Sequence, residues 1–248
     1  MKKILITGGC SFSDCSNEHT NTWPKHLAKV LADYDAIHTG KGSHGNGIIS
    51  RKVIYEVQYY LQHDIKPEDM LIGIMWSSPN RYDIFSDGSP PGYNDSKNEE
   101  TNLYENPTKF VRENTEKQWY IFNHNWQKNY FNAAYYKLYH NEIMHQLSTV
   151  EHILRVQWFL KSLNIKYFMS CYTEKVFLDK FTSHPEVKYL YDLIDFNQFL
   201  PIKGEYEWCR DFSEFSFPDP ADMHPGSKQH EDFVNKVVSP WLESKGYI

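Results

Sequence analysis

Short apolar runs alternate along the chain with longer stretches in which apolar residues recur every three or four positions. The runs at 4–6, 70–76 and 165–170 have the length and composition of buried strands, and 35–38 is typical of a shorter one. Tyr206–Phe212 is a candidate for one more strand. The apolar runs therefore predict four strands and suggest a fifth.

The periodic stretches predict amphipathic helices between these strands. In one of them Ile49, Val53 and Val57 recur every four residues, which places an apolar stripe on one side of a helix. Pro240 is expected to kink or shorten the last helix because proline lacks a backbone N–H. The predicted helices cover residues 23–31, 49–62, 149–163, much of 174–200 with a break near 185, and 228–245.

Strands that alternate with helices predict an α/β protein with a parallel sheet covered on both faces. The right-handed crossover rule narrows this to a three-layer α/β/α sandwich of the flavodoxin-like type. We expect a single domain over residues 1–248, with an insertion at about 82–140 where the alternation breaks down.

The insertion begins as a long polar loop over 82–108 and continues as an aromatic segment over 119–139. Loops of this length in compact domains usually serve a function or are disordered. We expect most of the rings to pack on the domain. The others are candidates for a sugar-stacking or acyl-binding wall over a ligand crevice.

Composition narrows the function. The chain has 248 residues, of which 40% are hydrophobic, enough for a sizeable core. Its net charge of −6 argues against nucleic acid as the main partner, because phosphate binding favours a basic surface. No apolar run has membrane-spanning length, and the start of the chain is too short in aliphatic residues for a signal peptide. We therefore expect a cytoplasmic protein without a membrane partner, a pattern equally compatible with lysis-dependent release or packaging in a virus particle.

A serine follows the first predicted strand. Gly8 and Gly9 end that strand, so Ser11 lies just past its carboxyl end, where open α/β sheets place their ligands. A nucleotide-binding loop needs G-x-G-x-x-G, or a Lys-Ser/Thr pair after the glycines, and the stretch Lys2–Asp14 has neither. Ser11 is then either a helix cap or a nucleophile that needs a histidine and a carboxylate from elsewhere in the chain.

The C-terminal part of the chain supplies both groups. Asp222 and His224 lie two residues apart in the Pro-rich segment 218–226, directly before the last predicted helix. Prolines restrict such a loop, so it presents two side chains from one short segment. Asp222 and His224 are therefore the candidate partners of Ser11.

These two segments, Gly-Cys-Ser-Phe at 9–12 and Asp-Met-His-Pro at 222–225, resemble the first and last sequence blocks of the SGNH, or GDSL-type, hydrolase superfamily. The resemblance implies that Ser11 is the nucleophile, His224 the general base and Asp222 the acid that orients His224. It implies no metal and no cofactor. The four cysteines form no CxxC pair, so their spacing does not indicate zinc either.

The last block departs from the commonest pattern of that superfamily. Many members space the pair as Asp-x-x-His, whereas Ala221 occupies that acid's position here. Some relatives, including enzymes that move acetyl groups on polysaccharides, use the shorter Asp-x-His spacing, so Asp222 is kept. Asp219 is the reserve candidate for the orienting acid.

The two middle blocks of the superfamily supply oxyanion donors. Gly42 takes the place of the second-block glycine, with Gly45 as the fallback, because the stretch 39–47 contains four glycines. The third block ends a strand with a donor asparagine. Asn80 has that chemistry and is the favoured candidate, whereas counting along the strand places Ser78 there, so Ser78 is the fallback.

The resemblance implies a serine esterase, and the polar, aromatic insertion favours O-acetyl esters of a carbohydrate. His44, Arg81 and Trp76 are the candidate substrate-binding residues. The expected partner is a small-molecule or glycan ester. Two alternatives remain, an O-acetyltransferase with the same triad and an inactive glycan-binding or phage structural protein on the same fold. The sequence does not define the oligomeric state.

Overall fold

The protein is described from a computed structural model. The structure describes residues 3–16, 21–86, 103–104, 118–123, 130–219 and 221–248.

Among the described residues, the main sheet consists of four parallel strands. They are β1 (Lys3–Gly8), β2 (Tyr34–His38), β3 (Met70–Trp76) and β7 (Lys166–Cys171), in the spatial order β2-β1-β3-β7. Ile4 pairs with Asp35 of β2 on one side and with Met70 of β3 on the other. The predicted α/β class and all four predicted strands are confirmed.

Three further strands form a separate antiparallel sheet. They are β4 (Arg81–Ser86), β5 (Leu103–Tyr104) and β6 (Gln118–Asn123), in the order β4-β6-β5. The prediction of a loop from residue 82 onward is therefore wrong for β4 and β5. The sequence missed β4 because its alternation is inverted, with the polar Asp83 buried and its neighbours Tyr82 and Ile84 exposed. The rest of the predicted loop, 87–102 and 105–108, lies outside the described residues.

The helices connect the strands of the main sheet and follow them. They are α1 (Trp23–Val30), α2 (Asn46–Gln62), α3 (Tyr130–Leu138), α4 (Glu142–Ser162), α5 (Asp179–Thr182), α6 (Pro185–Tyr191), α7 (Glu205–Phe212), α8 (Ser227–Phe233) and α9 (Ser239–Ser244). Within the described part of the chain, no helix is both long enough and apolar enough to cross a membrane.

Successive residues of β1 belong to different apolar clusters. Ile4 packs in one cluster with Val53 of α2, and Leu5 packs in the other with Leu27 of α1 and Phe233 of α8. Side chains alternate across a strand, so the two clusters lie on opposite faces of the sheet. Helices therefore cover both faces of the sheet. The loops that follow β1, β2 and β3 lie at its carboxyl edge. The organisation of residues 1–248 as a single domain stays a prediction.

The predicted fifth strand is wrong, because Tyr206–Phe212 lies in α7. Helical spacing buries Glu205 and Trp208 on the same side of α7, a pattern too short to distinguish from a strand in the sequence. Beside β7, the main sheet is continued by an isolated parallel bridge between Met169 and Phe199.

Two helix boundaries also differ from the predictions. Helix α4 begins at Glu142 instead of Thr149, because the Asn141 side chain accepts the Met144 N–H at 3.0 Å and caps the helix. The last helix continues to Ser244 despite Pro240. A π-helical turn over Val234–Val238 precedes the proline and accommodates it.

Candidate active site

A serine, a histidine and an aspartate from opposite ends of the chain meet at the carboxyl edge of the main sheet. The Ser11 Oγ lies 2.7 Å from the His224 Nε2, although the two residues are 213 positions apart. The His224 Nδ1 lies 2.5 Å from the Asp222 Oδ1. The structure therefore brings together the three residues that the sequence singled out.

The hydrogen bonds define which nitrogen of His224 carries the proton. The carboxylate of Asp222 accepts the Nδ1–H, which leaves Nε2 as the acceptor for the Ser11 hydroxyl. This hydrogen bond lowers the pKa of Asp222 below its ordinary value. In this tautomer the imidazole is arranged to take a proton from Ser11.

The loop before α8 holds both partners of Ser11 in place. The Asp222 carboxylate also accepts the backbone N–H of His224, at 3.1 Å. Asp219 accepts the Asp222 N–H through its carbonyl at 3.1 Å and the Ala221 N–H through its carboxylate at 2.8 Å. Asp219 therefore stabilises the turn, and Asp222 is the acid that contacts the histidine.

The triad lies close to solvent. The side chains of His224 and Asp222 are 46% and 55% exposed. Exposed charges interact weakly because water screens them, so Asp222 affects His224 mainly through the direct hydrogen bond.

The turn that carries Ser11 depends on tight local packing. Ser11 begins a short 3-10 helix, Ser11–Ser13, directly after β1. The Oγ of Ser13 is buried and accepts the Trp23 Nε1–H at 2.8 Å. A Cβ added at Gly9 would lie 2.2 Å from that Oγ, so position 9 needs glycine.

Two aromatic side chains, Phe12 and Tyr172, pack beside the triad. The ring of Phe12 lies 5.1 Å from the His224 ring and 5.3 Å from the Tyr172 ring, measured between centroids. The backbone N–H of Tyr172 donates to the Trp76 carbonyl at 3.0 Å, which ties Tyr172 to the end of β3. Phe12 therefore fixes His224 against the sheet.

The two glycines predicted as oxyanion donors have their N–H groups engaged by carboxylates. The Gly42 N–H donates to the Asp14 Oδ2 at 2.8 Å, and the Gly45 N–H donates to the Asp83 Oδ1 at 3.1 Å. In this structure neither N–H points to an open oxyanion position. The prediction of Gly42, with Gly45 as fallback, is therefore not supported by the geometry.

The two candidates after β3 have different surroundings. The Ser78 Oγ accepts the backbone N–H of Asn80 at 3.2 Å. The carbonyl of Asn80 instead accepts the hydroxyl of Tyr136 from α3. Ser78 and Asn80 therefore lie in one turn after β3, and the backbone of Asn80 is anchored to α3.

Two predicted substrate-binding residues are structural. Trp76 is 0% exposed, because β7 extends alongside β3 to its last residue and pairs Trp76 with Cys171. His44 is also buried, and its backbone N–H donates to the Lys41 carbonyl at 3.3 Å in the turn before α2. Burial keeps the pKa of His44 well below its ordinary value, so His44 is neutral.

Arg81 retains a position suited to contact a ligand. Its Nη1 donates to the Ser77 Oγ at 3.0 Å, and its guanidinium lies 5.9 Å from the centroid of the Tyr172 ring. Arg81 therefore lies beside the aromatic residues that support the triad.

Sequence reasoning missed the polar residues that organise the edge of the sheet. The side chain of Asn46 accepts the Ser77 N–H at 2.8 Å and donates to the Ser77 carbonyl at 3.0 Å. Asp83 accepts the N–H groups of Gly45 and Ile48 at 3.1 and 2.9 Å and thereby caps α2. The available signal for Asn46 was its place inside the glycine-rich stretch 39–47, whereas Asp83 had none.

A metal site needs several ligating side chains close together. In the ranges that the structure describes, no three His, Cys, Asp or Glu side chains are grouped to hold a metal ion.

The fold and the site define an α/β protein with a Ser-His-Asp arrangement at the carboxyl edge of a parallel sheet. The chain belongs to a family of unknown function, DUF6071, whose model matches residues 13–189. The matched region contains β2 to β7 but none of Ser11, Asp222 and His224. Comparisons with curated proteins and with solved structures give no match.

Proposed function

We propose that the protein is a serine esterase of the SGNH, or GDSL-type, superfamily that cleaves O-acyl esters of a carbohydrate. The observation that carries this proposal is the chain of two hydrogen bonds from Ser11 through His224 to Asp222. A nucleophile in contact with a base, which is itself oriented by a third group, is the arrangement that acyl transfer needs.

The fold supports the same assignment. Counting the main-sheet strands in chain order, their spatial order is 2-1-3-4, as in the first four strands of the flavodoxin-like order 2-1-3-4-5. Ligands of such open sheets bind beyond the carboxyl ends of the strands, which is where Ser11 lies. A three-layer, flavodoxin-like sandwich is therefore part of the proposal.

In the proposed reaction, the Ser11 Oγ attacks the ester carbonyl while the His224 Nε2 takes its proton. Asp222 stabilises the imidazolium that forms. The tetrahedral intermediate collapses when His224 returns the proton to the leaving alcohol, and water then hydrolyses the acyl-serine by the same route in reverse.

The oxyanion donors are the backbone N–H of Ser11 and a side chain from the loop after β3. Loss of one such donor typically lowers kcat by roughly 100- to 1000-fold. Ser78→Ala and Asn80→Ala distinguish the two candidates, because only the variant that removes the donor gives a loss of this size. Asn80 is the first candidate, because its amide is the donor type expected there, and Ser78 is the fallback.

The basic experiment measures hydrolysis of p-nitrophenyl acetate by the wild-type protein and by Ser11→Ala. Ser162→Ala is the matched control, because Ser162 is an exposed serine at the end of α4. We expect wild-type and control to turn over the ester equally and Ser11→Ala to show no turnover above background. Equal rates for wild type and Ser11→Ala contradict the proposal.

A panel of acetylated glycans then defines the substrate class. Release of acetate into water supports an esterase, whereas transfer of the acetyl group to an added sugar acceptor indicates an O-acetyltransferase. Glycan binding without release of acetate indicates an inactive binding protein.

A further inference from the structure

A cavity of about 90 Å³ lies between the start of α2, strand β4 and the first half of α4. None of Ser11, Asp222 and His224 lines it. Its walls are mostly polar and include two guanidinium groups, an imidazole and two hydroxyls, from Arg51, Arg81, His152, Ser148 and Thr149. A single water needs roughly 15 Å³, so the cavity is large enough for a group of several heavy atoms.

The cavity carries more positive than negative charge. Arg51 and Arg81 line it, and Arg155 lies directly behind His152, donating to its Nδ1 at 3.1 Å. Asp83 is the carboxylate among the lining residues, and both of its oxygens accept N–H groups at the start of α2. This local excess contrasts with the net charge of −6 of the whole chain.

Burial and the surrounding arginines keep His152 neutral. Burial is the larger cause, followed by the charges of Arg155 and Arg51, and together they lower its pKa to about 3. Because Nδ1 accepts from Arg155, the proton of the neutral ring is on Nε2, which lies 3.3 Å from the Ser148 Oγ. The Nε2–H therefore donates to the Ser148 Oγ and orients a hydroxyl that lines the cavity.

The polar groups converge on one point of the backbone. A Cβ added at Gly47 would lie 3.0 Å from the Arg51 Nη1, 3.1 Å from the Asp83 Oδ2 and 3.4 Å from the His152 Nε2. The absence of a side chain at position 47 therefore keeps the space in front of these groups open. Arg51 of α2 presents N–H donors to that space, and His152 of α4 borders it.

Arg81 connects the cavity to the triad. Its guanidinium lines the cavity and lies over the Tyr172 ring, and that ring contacts Phe12, the residue after the nucleophile. A ligand group held by Arg81 and Arg51 is thus separated from Ser11 by the width of these side chains.

We infer that this cavity binds the anionic group, a carboxylate, sulfate or phosphate, of the carbohydrate whose ester reaches Ser11. The planar guanidinium of arginine matches such oxyanions with paired N–H donors, which makes Arg51 and Arg81 suitable ligands. The inference rests on the proposed function for the identity of the ligand. Anion binding itself does not depend on ester cleavage.

The test measures binding by calorimetry with the full chain carrying Ser11→Ala, so that turnover plays no part. The probes are glucuronate, glucose 6-sulfate and glucose 6-phosphate, with glucose as the neutral control. We expect at least one anionic sugar to bind at least tenfold more tightly than glucose, and the sugar that does so identifies the anionic group. Equal affinity for glucose and all three anionic sugars overturns the inference.

Three variants locate the binding. Arg51→Gln is expected to weaken binding of the preferred anionic sugar at least tenfold, and Arg51→Lys to weaken it at least threefold because lysine lacks the paired donors. Arg210→Gln is the matched control, since Arg210 is exposed and paired with Asp211 on α7. Unchanged affinity in both Arg51 variants overturns the inference, and Arg51→Lys carries the test if Arg51→Gln does not fold.

The same measurements separate the two proposals. Anionic-sugar binding that depends on Arg51, in a protein without esterase activity, supports the anion site and contradicts the proposed reaction. Ester hydrolysis that depends on Ser11, without any preference for anionic sugars, contradicts the anion site alone.

Discussion

The buried carboxyl of Asp83 gives the protein a pH-dependent stability that Asp83→Asn should remove. Asp83 is buried on β4 and accepts two backbone N–H groups at the start of α2. Burial outweighs these hydrogen bonds and raises its pKa from 3.8 to about 6. The folded state therefore holds a proton on Asp83 at pH values where the unfolded chain has lost it.

The sign of the effect follows from proton linkage. Between about pH 4 and 6 the folded state binds more protons at this group than the unfolded state, so stability falls as the pH rises through that range. One pKa unit corresponds to about 1.4 kcal/mol, so the shift of Asp83 corresponds to about 3 kcal/mol. Below about pH 4 and above about pH 7 the contribution is constant.

The assay is urea unfolding at several pH values from about 4 to 7.5, followed by tryptophan fluorescence. The free energy of unfolding of Asp83→Asn minus that of the wild type is expected to increase by about 3 kcal/mol across this range. Asp33→Asn is the control, because Asp33 is exposed, paired with Lys3 and has a lowered pKa. A difference for Asp83→Asn that does not change with pH refutes the reasoning.

Three further variants test the site and its support. Asp222→Ala should lower kcat for p-nitrophenyl acetate by only about 10- to 100-fold, because this acid is 55% exposed. Loss of a buried triad acid costs about 10⁴-fold. A loss as large as that of Ser11→Ala contradicts this prediction. Gly9→Ala should lower kcat at least about 100-fold with little change in circular dichroism, because the new Cβ forces the turn before Ser11 to shift; a fully active variant contradicts the packing argument. Asn46→Ala should destabilise the protein by about 2–4 kcal/mol in urea unfolding, because the buried N–H and carbonyl of Ser77 lose their hydrogen-bond partner. A change below about 0.5 kcal/mol contradicts this prediction.

Strands β1, β3 and β7 of the main sheet were predictable because they are buried on both faces. Such strands appear as continuous apolar runs such as Met70–Trp76, and the intervening helices show an apolar repeat of three to four residues. The antiparallel sheet was not predictable in this way. Its strand β4 pairs with a distant segment and directs Asp83 inward, so its pattern is the reverse of a half-buried strand.

Only the site residues that belong to short sequence motifs were predictable. The sequence identified Ser11, Asp222 and His224, and the structure brings them into contact. The sequence did not show which backbone N–H groups donate to side chains, because this depends on residues such as Asp14, which approaches Gly42 only after folding. Trp76 was misassigned for a related reason, since it ends its strand in the sequence but is enclosed by β7.

The most direct test of the central claim is covalent labelling by a fluorophosphonate probe, because this reagent reacts with a serine that is activated as a nucleophile. The account predicts a single labelled serine, identified by mass spectrometry as Ser11, with labelling strongly reduced in His224→Ala and unchanged in Ser162→Ala. A wild-type protein whose Ser11 stays unlabelled while its fold is intact contradicts the account.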